Sequence, residues 1–244
     1  MLSKGQIILA FDAYGTLLST ESIATRLASH FGPEKAANIA QEWRKYQLEY
    51  TWRLNSMNKY EPFSSVTQKS LQHALAESRV TLSSQEITSL MNAYNTLSLF
   101  PDVPPLFSHL KSNPHFHAVV FSNGTKAMIS ASLTQSPDLS PHAHVFEDVV
   151  VVEPVQRFKP CPEVYRYLCR KVGKEGKETD VWLISGNPFD VTGANAVGMR
   201  TCWVDRSGLG WVDELVDGEM GRPTMKVRGL DEVVSAVEAY VSKE

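Results

Sequence analysis

The sequence predicts an α/β protein, in which a doubly wound parallel sheet core carries an inserted helical cap domain. Two observations predict the sheet: short apolar runs suited to buried strands recur along the chain, and helical periods separate most of them. A third observation predicts the cap, because helical periods alone occupy residues 19–100, directly after the first apolar run. The expected Rossmann-like core therefore comprises residues 1–18 and 101–244, and the expected cap comprises residues 19–100.

The composition is that of an ordinary globular protein. The chain has 244 residues, enough to bury a full core, and 43% of them are hydrophobic while 21% are charged. The net charge of −3 gives no electrostatic reason to expect nucleic acid or an anionic membrane as a partner. No apolar run approaches the roughly 20 residues that a membrane helix needs.

The cysteine pattern and the start of the chain favour a cytoplasmic protein. Cys161, Cys169 and Cys202 form no C-x-x-C pair, and their odd number argues against a disulfide framework. We therefore expect reduced, buried thiols, which suit an intracellular compartment. Residues 1–5 lead straight into the first apolar run, so we expect no signal peptide.

The first apolar run is the stretch to which the candidate chemistry belongs. Ile7–Phe11 reads as a strand buried on both faces, and it ends at Asp12, shortly before Gly15 and Thr16. An aspartate at the carboxyl end of such a strand lies where open α/β sheets bind ligands. The alternative is that Asp12 only caps a turn, a common role for aspartate.

Four helical stretches are expected in the cap. They cover residues 19–31, 33–54, 61–76 and a segment that begins at the capping box of Ser83 and Glu86. The second of these helices has an apolar stripe and also a neighbouring face that mixes one cation with apolar groups, so we expect it to be wedged between layers. That neighbouring face comprises Arg44, Leu48, Thr51 and Trp52.

Four further strands and a closing helix are expected in the second half of the chain. The strands are predicted at residues 116–121, 147–152, 181–185 and 201–204, and the closing helix at residues 230–241. Polar side chains follow three of these strands: Ser122 and Asn123; Lys159; and Ser185, Asn187 and Asp190.

These polar groups can meet Asp12 in one cleft, because the carboxyl ends of parallel strands lie on one edge of a sheet. A carboxylate nucleophile, an ammonium group, hydroxyl and amide donors and a second carboxylate are the components of a covalent hydrolase. Each group also has a simpler explanation. The alternative for residues 122–125 is that they serve as a turn and helix cap and have no catalytic role. The alternative for Lys159 is a solvated loop lysine, and the alternative for Asp190 is a helix N-terminal residue that the helix dipole favours.

Several motifs carry a resemblance to a known superfamily. The segments FDAYGTL, FSNGT, FKP and ISGNPFDVTGA, in that order, resemble the haloacid dehalogenase superfamily. Residues 43–60, 152–165 and 192–206 are similar, more narrowly, to the L-2-haloacid dehalogenases. The resemblance spans nearly the whole chain and implies a homodimeric enzyme with the predicted core and cap.

Most members of this superfamily are magnesium-dependent phosphatases, which carry a second aspartate two residues after the nucleophile and a metal-binding aspartate in the fourth motif. Here those positions are Tyr14 and Gly186. Losing a ligand carboxylate leaves a poor Mg²⁺ site, and losing the general acid leaves a poor phosphatase. We therefore predict a dehalogenase without metal or cofactor. A phosphatase or phosphonate hydrolase with an altered metal site is the alternative, and a binding or scaffold protein is the third.

The resemblance implies hydrolysis of short L-2-haloalkanoic acids. Asp12 attacks the α-carbon in line with the carbon–halogen bond, the halide leaves, and the centre inverts to give an ester of Asp12. Water then attacks the carboxyl carbon of that ester and releases a D-2-hydroxyalkanoic acid.

The resemblance also assigns roles to the other site residues. Arg44 receives the halide; the alternative is a surface arginine without a role in the site. Ser122 and Lys159 bind the substrate carboxylate. Lys159 also keeps Asp12 ionised, and Asp190 positions or activates the water, with Asn187 and Ser185 beside it. Supporting positions are Thr16 and Tyr165, the latter open to a core-packing explanation. The residues expected to contact the substrate are Ala13, Tyr14, Leu48, Phe63, Asn123 and Phe189.

Two positions depart from the dehalogenase pattern. Gly186 stands where a serine is usual and Phe189 where a tryptophan is common. Each departure can reshape the pocket.

Overall fold

One parallel sheet forms the centre of the molecule. The computed structural model describes residues 7–243, and within them six strands pair in the order β3-β2-β1-β4-β5-β6. All five pairings are parallel, which confirms the doubly wound α/β core. The strands are β1 (Ile7–Asp12), β2 (Phe116–Ser122), β3 (Asp148–Val151), β4 (Val181–Ser185), β5 (Arg200–Val204) and β6 (Met225–Val227).

Helices flank these strands and supply the segment between β1 and β2. The helices are α1 (Ala24–Phe31), α2 (Pro33–Ser56), α3 (Phe63–Glu77), α4 (Ser84–Ala93), α5 (Val103–Ser112), α6 (Lys126–Gln135), α7 (Pro162–Lys171), α8 (Pro188–Asn195) and α9 (Val233–Val241). None of the helices described is long and apolar enough to cross a membrane.

The central position of β1 explains its continuous apolar run. Residues 8–11 are fully buried, because β1 pairs with β2 on one side and with β4 on the other. The register sets Asp12 opposite Phe121 and Phe11 opposite Ile184. The ends of the three strands therefore lie level, and the polar residues that follow them are brought to one edge.

Three details differ from the sequence-based expectation. Strand β6 was not predicted, since three residues are too few to show a strand period. The helices expected from residues 19 and 230 each begin as a 3₁₀ turn before the α-helix starts. Cys161 is only half-buried, because it lies on the loop that precedes α7, whereas the other two thiols are buried as predicted.

The chain leaves and re-enters the sheet layer side by side. The amide of Ser19 donates to the carbonyl of Ser98 at 2.9 Å, and the amide of Phe100 donates to the carbonyl of Leu17 at 3.2 Å. The helices α1 to α4 lie between these two crossings. The division into core and cap at residues 18 and 101 stays a prediction, and these contacts support it.

Helix α2 is wedged between layers along most of its length. Trp43 is buried, and its indole N–H donates to the carbonyl of Thr67 at 2.7 Å. Arg44 and Leu48, on the neighbouring face, are half-buried. Trp52 departs from the expectation of an enclosed face, since 40% of it is exposed and its ring contacts Phe189 edge-on at the rim.

Candidate active site

The Asp12 carboxylate lies at the carboxyl end of β1 and is almost enclosed, with 6% exposure. Its Oδ2 accepts hydrogen bonds from Asn187 Nδ2 at 2.7 Å and Thr16 Oγ1 at 2.8 Å, and a longer one from Ser185 Oγ at 3.4 Å. Its Oδ1 accepts from Lys159 Nζ at 3.0 Å. A residue that only capped a turn would bond to nearby backbone amides, so this set of partners favours the site explanation.

The turn after β1 aims Thr16 back at Asp12. The carbonyl of Ala13 accepts from the amides of Leu17 and Leu18, both at 2.9 Å, which closes a tight turn. Gly15 has a φ of +87° within it, a conformation that side chains rarely adopt. The sequence therefore places glycine where the loop must reverse, and the threonine hydroxyl reaches the carboxylate as a result.

Lys159 is the buried cation of the site, with 1% exposure. Its ammonium donates to Asp12 Oδ1 at 3.0 Å, to Asp190 Oδ2 at 2.8 Å and to the carbonyl of Phe121 at 2.8 Å. An ammonium has three protons, and all three are engaged here. The explanation of Lys159 as a solvated loop lysine is therefore wrong.

Asp190 is the second buried carboxylate, at the start of α8. Tyr165 donates its hydroxyl to Asp190 Oδ1 at 2.8 Å, opposite the bond from Lys159. Burial raises the pKa of Asp190 to about 6, against the lowering effect of the Lys159 ammonium, and the charge of Asp12 adds to the rise. Burial also holds the pKa of Tyr165 well above its ordinary value, so this hydroxyl stays protonated as a donor.

Arg44 reaches from α2 to the same edge of the sheet. Its Nη2 donates to the carbonyl of Tyr14 at 3.1 Å and to Asn187 Oδ1 at 3.3 Å, while its Nη1 donates to Gln47 Oε1 at 2.8 Å. A surface arginine would make no such contacts, so that explanation is wrong. Asn187 joins this guanidinium to Asp12, since its Nδ2 also bonds the carboxylate.

Gln47 is a site neighbour that the sequence analysis did not single out. It is fully buried, and its Oε1 also accepts from Tyr94 at 3.1 Å while its Nε2 donates to Thr67 Oγ1 at 2.8 Å. Its position three residues after Arg44, on the same helix face, was the signal available in the sequence. This fixed amide holds the guanidinium in place.

Aromatic rings form one wall of the site. Tyr14 is buried, with its ring stacked on Phe63 at 5.7 Å and tilted against Tyr94 at 5.5 Å. Burial raises the pKa of Tyr14, so its hydroxyl is neutral. Leu48 and Phe189 are half-buried and lie on the cap and core sides respectively.

The end of β2 contributes two buried polar residues. Asn123 Oδ1 accepts from the amide of Lys159 at 2.9 Å, which ties the two segments together. The hydroxyl of Ser122 accepts from the amide of Gly124 at 3.0 Å, and Thr125 caps α6. The turn-and-cap explanation is therefore correct for these bonds, and Asn123 has a further role beside the lysine.

Seven predicted residues thus share one hydrogen-bond network, and Arg44 joins it through Asn187. They are Asp12, Thr16, Lys159, Tyr165, Ser185, Asn187 and Asp190. Two further predicted residues bond to it: Asn123 accepts from the amide of Lys159, and the carbonyl of Tyr14 accepts from Asn187 at 3.0 Å. Arg206 was missed: it donates to the carbonyl of Thr16 at 2.8 Å and pairs with Asp102 at 2.8 Å.

The donor set does not fit a divalent cation. Within residues 7–243 no group of three or more His, Cys, Asp and Glu side chains is placed to hold a metal ion. The two site carboxylates, Asp12 and Asp190, are instead bridged by the ammonium of Lys159. Mg²⁺ needs hard oxygen ligands in near-octahedral geometry, and Tyr14 and Gly186 supply no further carboxylate.

Gly186 allows a close backbone approach, which gives a first prediction. A Cβ at this position would lie 2.7 Å from the carbonyl oxygen of Gly15, so the loop carrying Thr16 would have to shift. We expect Gly186→Ala to lower the free energy of unfolding by about 1–3 kcal/mol, as overpacking does. Urea denaturation measures the change, and an unaltered midpoint would show that the loop yields without cost.

Comparison with known proteins identifies the family to which the chain belongs. A model of the haloacid dehalogenase-like hydrolases matches residues 8–198. The chain is 32% identical over 239 residues to an (S)-2-haloacid dehalogenase of Pseudomonas sp. (strain YL), covering 96% of each sequence. It is also 32% identical over 198 residues to (S)-2-haloacid dehalogenase 4A of Burkholderia cepacia, covering 81% of this chain and 82% of that one.

A solved structure extends the similarity to three dimensions. The L-2-haloacid dehalogenase from Xanthobacter autotrophicus with chloropropionic acid covalently bound superposes with a TM-score of 0.82 at 25% identity, covering 96% of this chain and 98% of that one. With the parallel core, the buried Asp12–Lys159 pair and a family match over most of the sequence, the chain belongs to the haloacid dehalogenase-like hydrolases.

Proposed function

We propose that this protein hydrolyses short L-2-haloalkanoic acids to D-2-hydroxyalkanoic acids, without a metal, through an ester of Asp12. The observation that carries the proposal is the placement of two groups beside one carboxylate. A buried ammonium contacts Asp12 directly, and the cap guanidinium of Arg44 reaches it through Asn187. The names of the similar proteins support this substrate class.

Asp12 would attack through Oδ1. Its Oδ2 is held by Asn187, Thr16 and Ser185, whereas Oδ1 accepts a bond from Lys159. The Oδ1–carbon bond forms as the carbon–halogen bond breaks, and the halide leaves with the bonding pair. Attack from the face opposite the halogen inverts the centre.

Arg44 would receive the departing halide. Its described acceptors are neutral oxygens from Gln47, Tyr14 and Asn187, so these contacts do not compensate its positive charge. A fixed cation at the place where negative charge develops stabilises the transition state. The aromatic wall of Tyr14 and Phe63 would exclude water from the alkyl group and the halogen.

The ester would then be hydrolysed with Asp190 as base. Water attacks the carboxyl carbon of Asp12, a proton passes to Asp190, and the tetrahedral intermediate collapses. The departing alkoxide takes this proton from Asp190 and leaves as the 2-hydroxyalkanoic acid, while the second proton of the water is released to solvent and Asp12 regains its carboxylate. Asn187 and Ser185 would hold the oxygens of the ester. All three ammonium protons of Lys159 are engaged, so it contacts the substrate carboxylate only by exchanging one of these bonds.

The role of Asp190 predicts a pH profile. Because burial raises the pKa of Asp190 above its ordinary value and the base must be ionised, kcat should fall on the acid side, by about tenfold per pH unit below that pKa. Tyr165→Phe removes a hydrogen bond that lowers this pKa, so the acid limb should move to higher pH. Steady-state rates from pH 4.5 to 8 measure the limb, and a limb that stays in place in the variant would argue against Asp190 as base.

The role of Arg44 predicts a strong effect of a conservative change. Lysine keeps the charge but cannot hold the forked contacts to Gln47, Tyr14 and Asn187. We expect Arg44→Lys to lower kcat about 100-fold, the magnitude typical of losing one transition-state donor. The rate of halide release and the thermal midpoint should be measured together. If unfolding of the variant accounted for the whole loss of activity, the guanidinium would have no catalytic role.

The function itself is tested by halide release from L-2-chloropropionate in the presence of EDTA, with the D-isomer as comparison. Chloride from the L-isomer with D-lactate as product is the expected result. Magnesium-dependent hydrolysis of a phosphate ester without any halide release would overturn the proposal in favour of a phosphatase. The homodimer and the cytoplasmic location stay predictions.

A further inference from the structure

A residue in the last turn of α2 forms two hydrogen bonds to the chain segment that carries Lys159. Asn55 Nδ2 donates to the carbonyl of Phe158 at 2.7 Å, and its Oδ1 accepts from the amide of Phe158 at 2.9 Å. One side chain thus satisfies both polar groups of a backbone unit that belongs to no helix or strand. A paired amide of this kind substitutes for a neighbouring strand, because it offers one donor and one acceptor.

Phe158, the residue that Asn55 binds, is adjacent to Lys159 in the sequence. The amide of Lys159 is held from the core side by Asn123, and its ammonium is held by three oxygens around Asp12. The segment is therefore fixed from the core at one residue and from the cap at the next. The ring of Phe158 also packs on cap residues, against Tyr60 at 5.1 Å.

We infer that Asn55 is a positioning residue, which fixes the ammonium of Lys159 by holding the backbone of Phe158 from the cap. The inference rests on the proposed function for its kinetic consequence only. With Asn55 in place, the backbone of the segment is held from both sides. Without it, the side-chain contacts of Phe158 and Arg157 with the cap remain, but among described residues outside this loop the backbone of the segment keeps only the bond to Asn123. Since misplacement by a fraction of an ångström impairs orientation of a nucleophile, kcat should respond more than KM.

The chain offers a matched control in the same helix end. Asn58 also ties cap to core, but it accepts from the side chain of Arg157 at 3.3 Å and not from the lysine segment's backbone. Its φ is +53°, so Asn58→Gly removes the contact without straining the backbone. The test variants are Asn55→Leu, which has similar size and no hydrogen bonds, and Asn55→Asp, which keeps the acceptor and loses the donor.

Hydrogen exchange tests the inference without reference to activity. In wild type, the amides of Phe158 and Lys159 are bonded to different side chains, Asn55 and Asn123. We expect Asn55→Leu to speed exchange of both amides about tenfold or more, and Asn58→Gly to leave them unchanged. Faster exchange at Phe158 alone would mean that Asn55 makes only a local contact, and would overturn the inference.

Kinetics with L-2-chloropropionate supply the second readout. We expect Asn55→Leu to lower kcat about tenfold with KM changed less than about threefold, Asn55→Asp to be intermediate, and Asn58→Gly to be within about twofold of wild type. An equal loss in the control variant would also overturn the inference. If wild type releases no halide, the proposed function fails while the exchange experiment still decides the role of Asn55. Asn55→Asp serves for both measurements if the leucine variant does not fold.

Discussion

Asp12→Asn is expected to abolish halide release, with kcat lowered about 10⁴-fold or more, as happens when a covalent nucleophile is removed. An amide matches the carboxylate in shape but is a poor nucleophile, and it leaves the ammonium of Lys159 beside a neutral group. Chloride release from L-2-chloropropionate at high enzyme concentration measures the residual rate. The thermal midpoint should be recorded alongside, to show that the variant is folded.

A labelling experiment separates the covalent route from direct attack by water. With enzyme in excess over substrate in H₂¹⁸O, the heavy oxygen of the first turnover should enter the carboxylate of Asp12 and not the product, because water attacks the carboxyl carbon of the ester. Mass spectrometry of the peptide containing residue 12 detects it. Heavy oxygen in the first-turnover product would place the attack on the substrate carbon instead.

Lys159→Met is expected to lower the free energy of unfolding by about 3–5 kcal/mol at pH 7, because it leaves buried charge without its partner. The ammonium lies 3.0 Å from Asp12 and 2.8 Å from Asp190, and all three side chains are buried. Without the cation, two carboxylates would face each other in a poorly solvated space. Urea denaturation monitored by circular dichroism measures the loss.

The same variant should recover stability as the pH falls. The ammonium lowers the pKa of Asp190, which is nevertheless raised to about 6 by burial, so removing the cation raises it further. A carboxyl whose pKa is higher in the folded than in the unfolded state favours folding as it takes up its proton. The deficit should therefore be smaller at pH 5 than at pH 7.

Lys174 provides the control for this experiment. It is a buried lysine, and among the described residues it pairs with a single carboxylate, that of Asp180, which is 40% exposed. We expect Lys174→Met to cost about 1 kcal/mol and to show little change between pH 7 and pH 5. A deficit for Lys159→Met that matched the control at both values would contradict the described charge cluster.

The sequence allowed the edge of the sheet to be predicted, since parallel strands bring their carboxyl ends together whatever lies between them. For this reason Asp12, Lys159 and Asp190 could be grouped although 178 positions separate the first from the last. The supporting amides could not be predicted in this way. Gln47 and Asn55 lie on a helix whose period gives the face they occupy, but nothing in a helical period names the backbone or side chain they meet.

The exposure of Trp52 at the edge of the site also could not be predicted from the sequence. The helical pattern grouped Trp52 with Arg44 and Leu48, yet 40% of Trp52 is exposed while the other two residues are half-buried. The bonding of Lys159 is a similar case. Only the structure shows that all three protons of its ammonium are donated to protein oxygens, which bears on how the substrate carboxylate is held.

The pairing of residues 17–19 with residues 98–100 has a consequence for how such enzymes diversify. Because the outgoing and incoming chains meet at one point, lids of very different length can be spliced in there without altering the strand order below. Asp12 lies before the first of these crossings, and Arg44 lies on the segment between them. A foreign lid grafted between these crossings would therefore have to replace the bonds that Asn55 makes to the backbone of Phe158.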